Sequence, residues 1–254
     1  MENTYALITG STAGIGLDLA RHFAKDGINL IIIGRNEEKL AKIPDQLKAE
    51  SGNSELKILT LKLDLSDKDA PQTLLSFVEA NQVEVKYLVN NAGEGLDEDV
   101  ADTTQEQIEE TITVHVLNLT KIVNLFIPNL ERNFGQIMNV SSIAGFVPNP
   151  KLNIYSSVKT YIYNFTLGLR GELRKRGIGV TVLCPPITRT QFYNRASTGY
   201  ELSSLYKAIS YSSEFVARRA YYCFRRNKAV VIPGLPYWIM CTVGVKLVPW
   251  RLIF

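Results

Sequence analysis

Seven short apolar runs, separated by segments of helical periodicity, constrain what this chain can fold into more than any other feature. They read "YALITG" (5–10), "NLIIIG" (29–34), "LKILTLKL" (56–63), "YLVNNAG" (87–93), "GQIMNVSS" (135–142), "GVTVLCPP" (179–186) and "AVVIPG" (229–234). A strand that is apolar on both faces needs cover on both, which a parallel sheet between two helix layers supplies. The intervening segments, Gly14–Lys25 and Glu37–Ser51 among them, place apolar residues at helical spacing. Strand and helix in alternation predict an α/β fold built on a doubly wound parallel sheet.

A length of 254 residues fits one such domain, and no repeat, low-complexity tract or Gly/Ser linker divides it. With 28 Lys and Arg against 25 Asp and Glu, the net charge of +3 lacks the basic excess that a nucleic-acid partner demands. Three cysteines without paired spacing and two histidines indicate neither a disulfide framework nor a metal site. The start, "MENTYALITG", has no basic region leading into a long apolar run, so a reducing, cytoplasmic setting is expected.

The end of the chain departs from the alternation. From Ala229 to Phe254 only Lys246 and Arg251 are charged, and Pro233, Pro236 and Pro249 interrupt any helix. Its uncharged run, 229–245, is at the lower limit for a membrane span and has two prolines where a helix would begin. The expectation is a body over 1–234 and an apolar tail over 235–254. A short helix there would cover a pocket, pack on another subunit or lie on a membrane surface.

Chemistry is written in two places. The first strand ends in "TGSTAGIG" (9–16), where Gly10, Gly14 and Gly16 allow a tight turn. Such a turn, with Ser11 and Ile15 in it, brings backbone close to a pyrophosphate held at the positive end of the next helix. This makes the sheet a Rossmann-type one and a dinucleotide its expected ligand. Further on, "NIYSSVKTYI" (153–162) sets Tyr155 one helical turn ahead of Lys159. A phenol is a poor acid near neutrality, and a fixed positive charge beside it favours its ionised form.

With these motifs on the page, the chain resembles the short-chain dehydrogenase/reductase family. It carries TGxxxGxG as Thr9, Gly10, Gly14 and Gly16, NNAG as Asn90, Asn91, Ala92 and Gly93, and YxxxK as Tyr155 and Lys159. Ser142 stands thirteen residues before the tyrosine, and the match runs from about Tyr5 to Thr190. The resemblance implies that Tyr155 gives a proton to a substrate carbonyl oxygen as hydride leaves a nicotinamide. Lys159 would lower the tyrosine pKa and hold the ribose hydroxyls, and Ser142 would donate a hydrogen bond to the same oxygen. Ser141 competes for that role but is off by one in spacing. Asp64 and Leu65 would flank the adenine, and Asn91, Ala92 and Gly93 would line the cofactor.

Two positions depart from the family pattern, and a third bears on the choice of cofactor. The asparagine of the usual tetrad falls on His115 in an ungapped count from Pro128, and a slip of three residues restores Asn118. In "CPPITRTQF", Pro185 and Thr190 match, but Pro186 replaces a glycine and removes a backbone N–H; Ile187 and Thr190 remain for the carboxamide. In "IIIGRNEEKL", Gly34 stands where an NAD-specific carboxylate would be, and Arg35 follows with a charge suited to a 2′-phosphate. NADP is therefore expected over NAD.

Residues 191–211 hold the place of the family's variable substrate loop, and Phe192, Tyr193, Tyr200, Leu202, Leu205 and Tyr206 in it suggest an apolar carbonyl substrate. Arg218, Arg219, Arg225, Arg226 and Lys228 read as a solvated helix face or as a contact for an anionic carrier. The tail loosely resembles those of long-chain 3-oxoacyl and hydroxysteroid reductases, and relatives commonly form homo-oligomers. The reading is an oxidoreductase using NADPH on an apolar ketone. Its rivals are a catalytically weak dinucleotide sensor or assembly protein, and a peripheral membrane protein acting through its tail.

Overall fold

The computed structural model describes residues 3–190 and 209–247. All seven apolar runs become strands there: β1 Thr4–Thr9, β2 Asn29–Gly34, β3 Ile58–Lys62, β4 Glu84–Asn90, β5 Gln136–Val140, β6 Gly179–Leu183 and, after two short strands, β9 Val230–Val231. They form one parallel sheet in the order β3-β2-β1-β4-β5-β6-β9. The order reverses between β1 and β4, so the crevice at their carboxyl ends is the place where such a sheet binds ligands. The two short strands, β7 Thr188–Arg189 and β8 Tyr211–Ser212, pair with each other.

Helices cover both faces. The helices α3 Ala70–Ala80, α5 Leu119–Arg132 and α6 Asn153–Leu173 lie on one side, where Phe126, Leu130 and Ile162 meet Leu7, Ile31 and Leu88. On the other side α1 Gly14–Lys25, α2 Glu37–Ser51 and α7 Ser213–Arg225 pack Phe23, Leu47 and Phe224 against Ile8, Ile32 and Val89. Successive residues of β1 feed opposite cores, which is why its run is apolar without alternation.

Aromatic packing ties α7 to α1. The Tyr221 ring meets Phe23 edge-on at 4.8 Å and stacks on His22 at 5.5 Å. Its hydroxyl donates to Asp26 at 2.5 Å, and Arg225, which donates to the same carboxylate, lies over the Tyr87 and Tyr221 rings. Arg218, Arg219, Arg226 and Lys228 are exposed, as a solvated face would be.

A long helical stretch, Gln105–Arg132, is apolar enough to satisfy a membrane-span test of length and composition, yet Leu119, Ile122, Val123, Phe126 and Leu130 are core residues. It is interrupted by a π-helical turn, Thr113–Asn118, between α4 (Gln105–Ile112) and α5. Such a turn inserts a residue and re-aims the side chains around it.

A short helix α8 Leu235–Ile239 follows the last strand, continued by a π-helical turn Met240–Gly244 and Val245–Leu247. Cys241 packs inward on Val182, Cys184 and Ile232, and the Tyr237 hydroxyl donates to the Ile209 carbonyl at 3.1 Å. Leu235, Trp238, Ile239, Met240, Val243 and Leu247 face outward and are exposed. None of the described tail residues lines the crevice. Of the expected substrate loop, 191–208 lie outside the described residues.

Candidate active site

The carboxyl ends of the strands open onto a cavity of about 720 Å³. One end is walled by Arg35, Asn36 and Lys39, the middle by the glycine turn, and the other end by Ser142, Tyr155 and Lys159.

The glycine turn is built for close approach. Gly10 has φ +63°, and a Cβ there would sit 2.8 Å from the Ala92 Cα. Gly14 has φ +55°, with Thr190 3.2 Å from where its Cβ would be. Ala13, the residue before α1, gives no side-chain cap, and no acidic residue stands in the first turn. The first amides of α1 thus point at the cavity with the positive end of the helix dipole behind them. Glycines that a side chain would overfill, together with an uncapped helix start, fit a pyrophosphate.

Three residues expected to touch a cofactor, Ser11, Gly16 and Ile187, are not on the cavity wall. The Ser11 hydroxyl is fully buried, donates to the Ile8 carbonyl at 2.7 Å and accepts from the Ile33 amide at 3.1 Å, clipping β1 to β2. Gly16 is not on the cavity wall; its missing Cβ makes room for the Gly10 carbonyl and the Asn91 amide, each 2.5 Å from where it would stand. Ile187 is likewise absent from the wall, where Thr188 stands, because the chain there turns to pair with Tyr211. Gly10, Gly14, Ile15, Asp64, Leu65, Asn91, Ala92, Gly93, Pro185 and Thr190 all line the cavity. The Asn91 side-chain amide also donates to the Thr9 and Gly10 carbonyls at 3.0 and 3.1 Å, which holds the turn against β4.

At the far end, Gly34 and Arg35 close β2. A Cβ at position 34 would be 2.5 Å from the Thr12 methyl carbon, so the strand ends without the side chain that an NAD-type carboxylate would need. Asn36 caps α2 by accepting from the Lys39 amide at 2.8 Å. Thr12, Asn36 and Lys39 were missed in the sequence; the run Asn-Glu-Glu-Lys after Arg35 is a helix-start signal that points to Asn36 and Lys39. We expect Gly34→Asp alone to lower stability and bind neither cofactor well, whereas Gly34→Asp with Thr12→Gly restores folding and gains NADH affinity. Thermal melts and calorimetric titrations of the two variants check this.

At the catalytic end the helices converge. Tyr155 and Lys159 are on α6, both buried, with the Lys159 Nζ 5.4 Å from the Tyr155 ring centre. The Lys159 Nζ donates to the Val140 carbonyl at 3.1 Å and to the His115 Nδ1 at 3.4 Å. A carbonyl can only accept, so the His115 Nε2, 3.1 Å from the Glu94 carbonyl, carries the ring proton, and Nδ1 is left to accept from the lysine. Burial, with the Lys159 charge second, drives the His115 pKa down to about 3, and burial also brings Lys159 down to about 7. The histidine is therefore neutral, and the lysine charge titrates near neutrality.

The two candidates His115 and Asn118 lie in the π-helical turn and point apart. His115 reaches the cavity and Lys159, while the Asn118 amide donates to the Leu65 and Asp67 carbonyls at 2.9 and 2.6 Å, on the core side. Gly93 leaves room for the His115 ring: a Cβ there would stand 2.0 Å from its Cε1. Ser141 and Ser142 also separate. The buried Ser141 hydroxyl donates to the Lys159 carbonyl at 2.7 Å, whereas Ser142 is half-buried on the wall and accepts from the Ala144 amide at 3.1 Å. The Cys184 thiol is buried, and burial pushes its pKa far above the usual range.

A neutral hydrogen-bond acceptor on a buried lysine, a phenol beside that lysine and a hydroxyl across from it can protonate an oxygen while stabilising its charge. With the glycine turn, these define the site of a nucleotide-dependent oxidoreductase. The family model described as short chain dehydrogenase matches residues 4–201. A serine 3-dehydrogenase of Agrobacterium fabrum is 31% identical over 235 residues, covering 90% of this chain and 91% of its own. A very-long-chain 3-oxoacyl-CoA reductase of Homo sapiens is 28% identical over 256 residues, covering 96% and 79%. A solved short-chain dehydrogenase from Sphingobium yanoikuyae in complex with NADPH superposes with a TM-score of 0.82 at 27% identity, covering 98% of this chain and 91% of that one. The chain belongs to the short-chain dehydrogenase family and is an oxidoreductase.

Proposed function

We propose that this protein is an NADPH-dependent reductase of a ketone on an apolar substrate, such as a 3-oxoacyl chain or a steroid-like compound. The observation that carries the reading is the single cavity that runs from Arg35 and Lys39, past the glycine turn, to Ser142, Tyr155 and Lys159. NADPH, when bound, supplies the hydride. Gly10, Gly14 and the start of α1 hold its pyrophosphate, Arg35 and Lys39 face its 2′-phosphate, and Asp64 and Leu65 flank its adenine. The Tyr155 hydroxyl gives its proton to the carbonyl oxygen, Ser142 donates a hydrogen bond to that oxygen, and Lys159 holds the ribose hydroxyls. His115 takes the place of the tetrad asparagine as a neutral acceptor for the lysine. In the reverse direction the same tyrosine receives the proton of a secondary alcohol.

The apolar side of the substrate reading is supported by Leu96, Val114, Val140 and Pro186 on the cavity wall and by the likeness to the 3-oxoacyl-CoA reductase. The outward side of α6 and of the π-helical turn before α5, where Leu117 is exposed and Tyr161 stacks on Phe165 at 5.6 Å, is the proposed contact of a homo-oligomer.

The test is cofactor binding followed by a carbonyl panel. Calorimetry is expected to give NADPH a markedly lower Kd than NADH. Arg35→Ala raises the NADPH Kd roughly tenfold, the range for a lost charged hydrogen bond, and leaves NADH within about twofold. Reduction of 3-oxoacyl thioesters in preference to small polar carbonyls supports the substrate class. Binding of neither cofactor sinks the reading.

A further inference from the structure

Arg35 is already engaged by carboxylates. Its guanidinium forms an ion pair with Glu94 and lies 3.7 Å from Asp64 and 3.7 Å from Glu110. Three carboxylates against Arg35 and the neighbouring Lys39 leave this end of the cavity with a net negative charge, the opposite of what a dianionic 2′-phosphate requires. The phosphate therefore has to take Arg35 from a partner it already holds. Glu94 is that partner by geometry, since Asp64 and Glu110 lie at the limit of ion-pair distance. Its backbone is fixed, because the Glu94 carbonyl accepts from His115, which in turn is bonded to Lys159. The carboxylate can swing while the chain beside the cofactor stays in place.

We propose that Glu94 is a specificity-determining residue of the cofactor site: its carboxylate competes with the 2′-phosphate for Arg35 and so sets how strongly the enzyme prefers NADPH to NADH. This rests on the NADPH reading above. NADH brings no phosphate to that end, so it leaves the Arg35–Glu94 pair intact and is indifferent to it. NADPH binds only as the pair opens, and the free energy of opening is subtracted from the phosphate's own attraction. Both side chains are nearly half exposed, at 44% for Arg35 and 46% for Glu94, so the pair is a modest competitor that salt weakens.

The experiment is a double-mutant cycle on the full chain, read by calorimetry with NADPH and NADH at low and moderate salt. Glu94→Gln is expected to lower the NADPH Kd roughly three- to tenfold at low salt, less at moderate salt, and to leave the NADH Kd within about twofold. In the Arg35→Ala background the same substitution is expected to change the NADPH Kd by less than twofold. Glu110→Gln, whose carboxylate is more distant, gives a smaller gain. An unchanged or higher NADPH Kd in Glu94→Gln overturns the proposal. So does a gain that persists without Arg35, which would mean plain repulsion between Glu94 and the phosphate, or a gain from Glu110→Gln as large as that from Glu94→Gln. Failure of the unaltered protein to bind NADPH is a separate result that removes the functional reading itself.

Discussion

Tyr155→Phe is expected to lower kcat/KM for ketone reduction by about a thousandfold while leaving NADPH affinity within about twofold. The phenol is the group placed to donate the proton, and removing a positioned general acid costs roughly 10² to 10⁴ in rate. The Phe ring refills the same buried space on α6, against His115 with ring centres 6.1 Å apart, so folding is preserved. The rate loss is read from NADPH consumption and the affinity from calorimetry. Equal rates for the two proteins would remove Tyr155 from the chemistry.

Lys159→Met is expected to have two effects of opposite sign: loss of at least a hundredfold in kcat/KM and a gain in stability on the order of 2 kcal/mol at pH 7. Lys159 is only 4% exposed, and burial brings its pKa from the ordinary 10.5 down to about 7. Between pH 7 and 10.5 the unfolded chain binds a proton here that the folded protein sheds, so stability rises with pH across that window, by up to about 1.4 kcal/mol per pH unit. Below pH 7 the lysine is charged in both states and the burial penalty is present in full. The methionine variant lacks that rise, and denaturant melts at pH 7, 8 and 9 check the difference in slope.

His115 works on the acid side. Its pKa is lowered to about 3 in the fold, so stability falls as pH drops from 6.5 toward 3, where the unfolded chain takes up the proton first. This limb persists in Lys159→Met, although weakened, because burial rather than the lysine charge is its main cause.

Much of this was legible in the sequence. An apolar run that does not alternate needs cover on both faces, so the seven parallel strands followed from their composition alone. The helices at Gly14–Lys25 and Glu37–Ser51 matched their apolar spacing residue for residue. Motifs that are contiguous in the chain, the glycine turn and the Tyr155–Lys159 pair, were equally readable, because a single turn or helix determines which side chains face together.

Tertiary structure alone decided whatever depended on the meeting of distant segments. Gly16 carries a motif glycine, yet it serves the packing of Gly10 and Asn91, because only the folded turn shows which glycine is on the wall and which is behind it. That His115 faces Lys159 while Asn118 faces the core goes with a π-helical turn, a one-residue change in winding that periodicity does not register. Glu94, 59 residues beyond Arg35, drew no notice as a residue after NNAG, and its carboxylate matters only because β2 and β4 end side by side across β1. Local spacing determines what one element presents. Which charge meets which is a property of the sheet order and of burial, and it comes into being only when the strands are assembled.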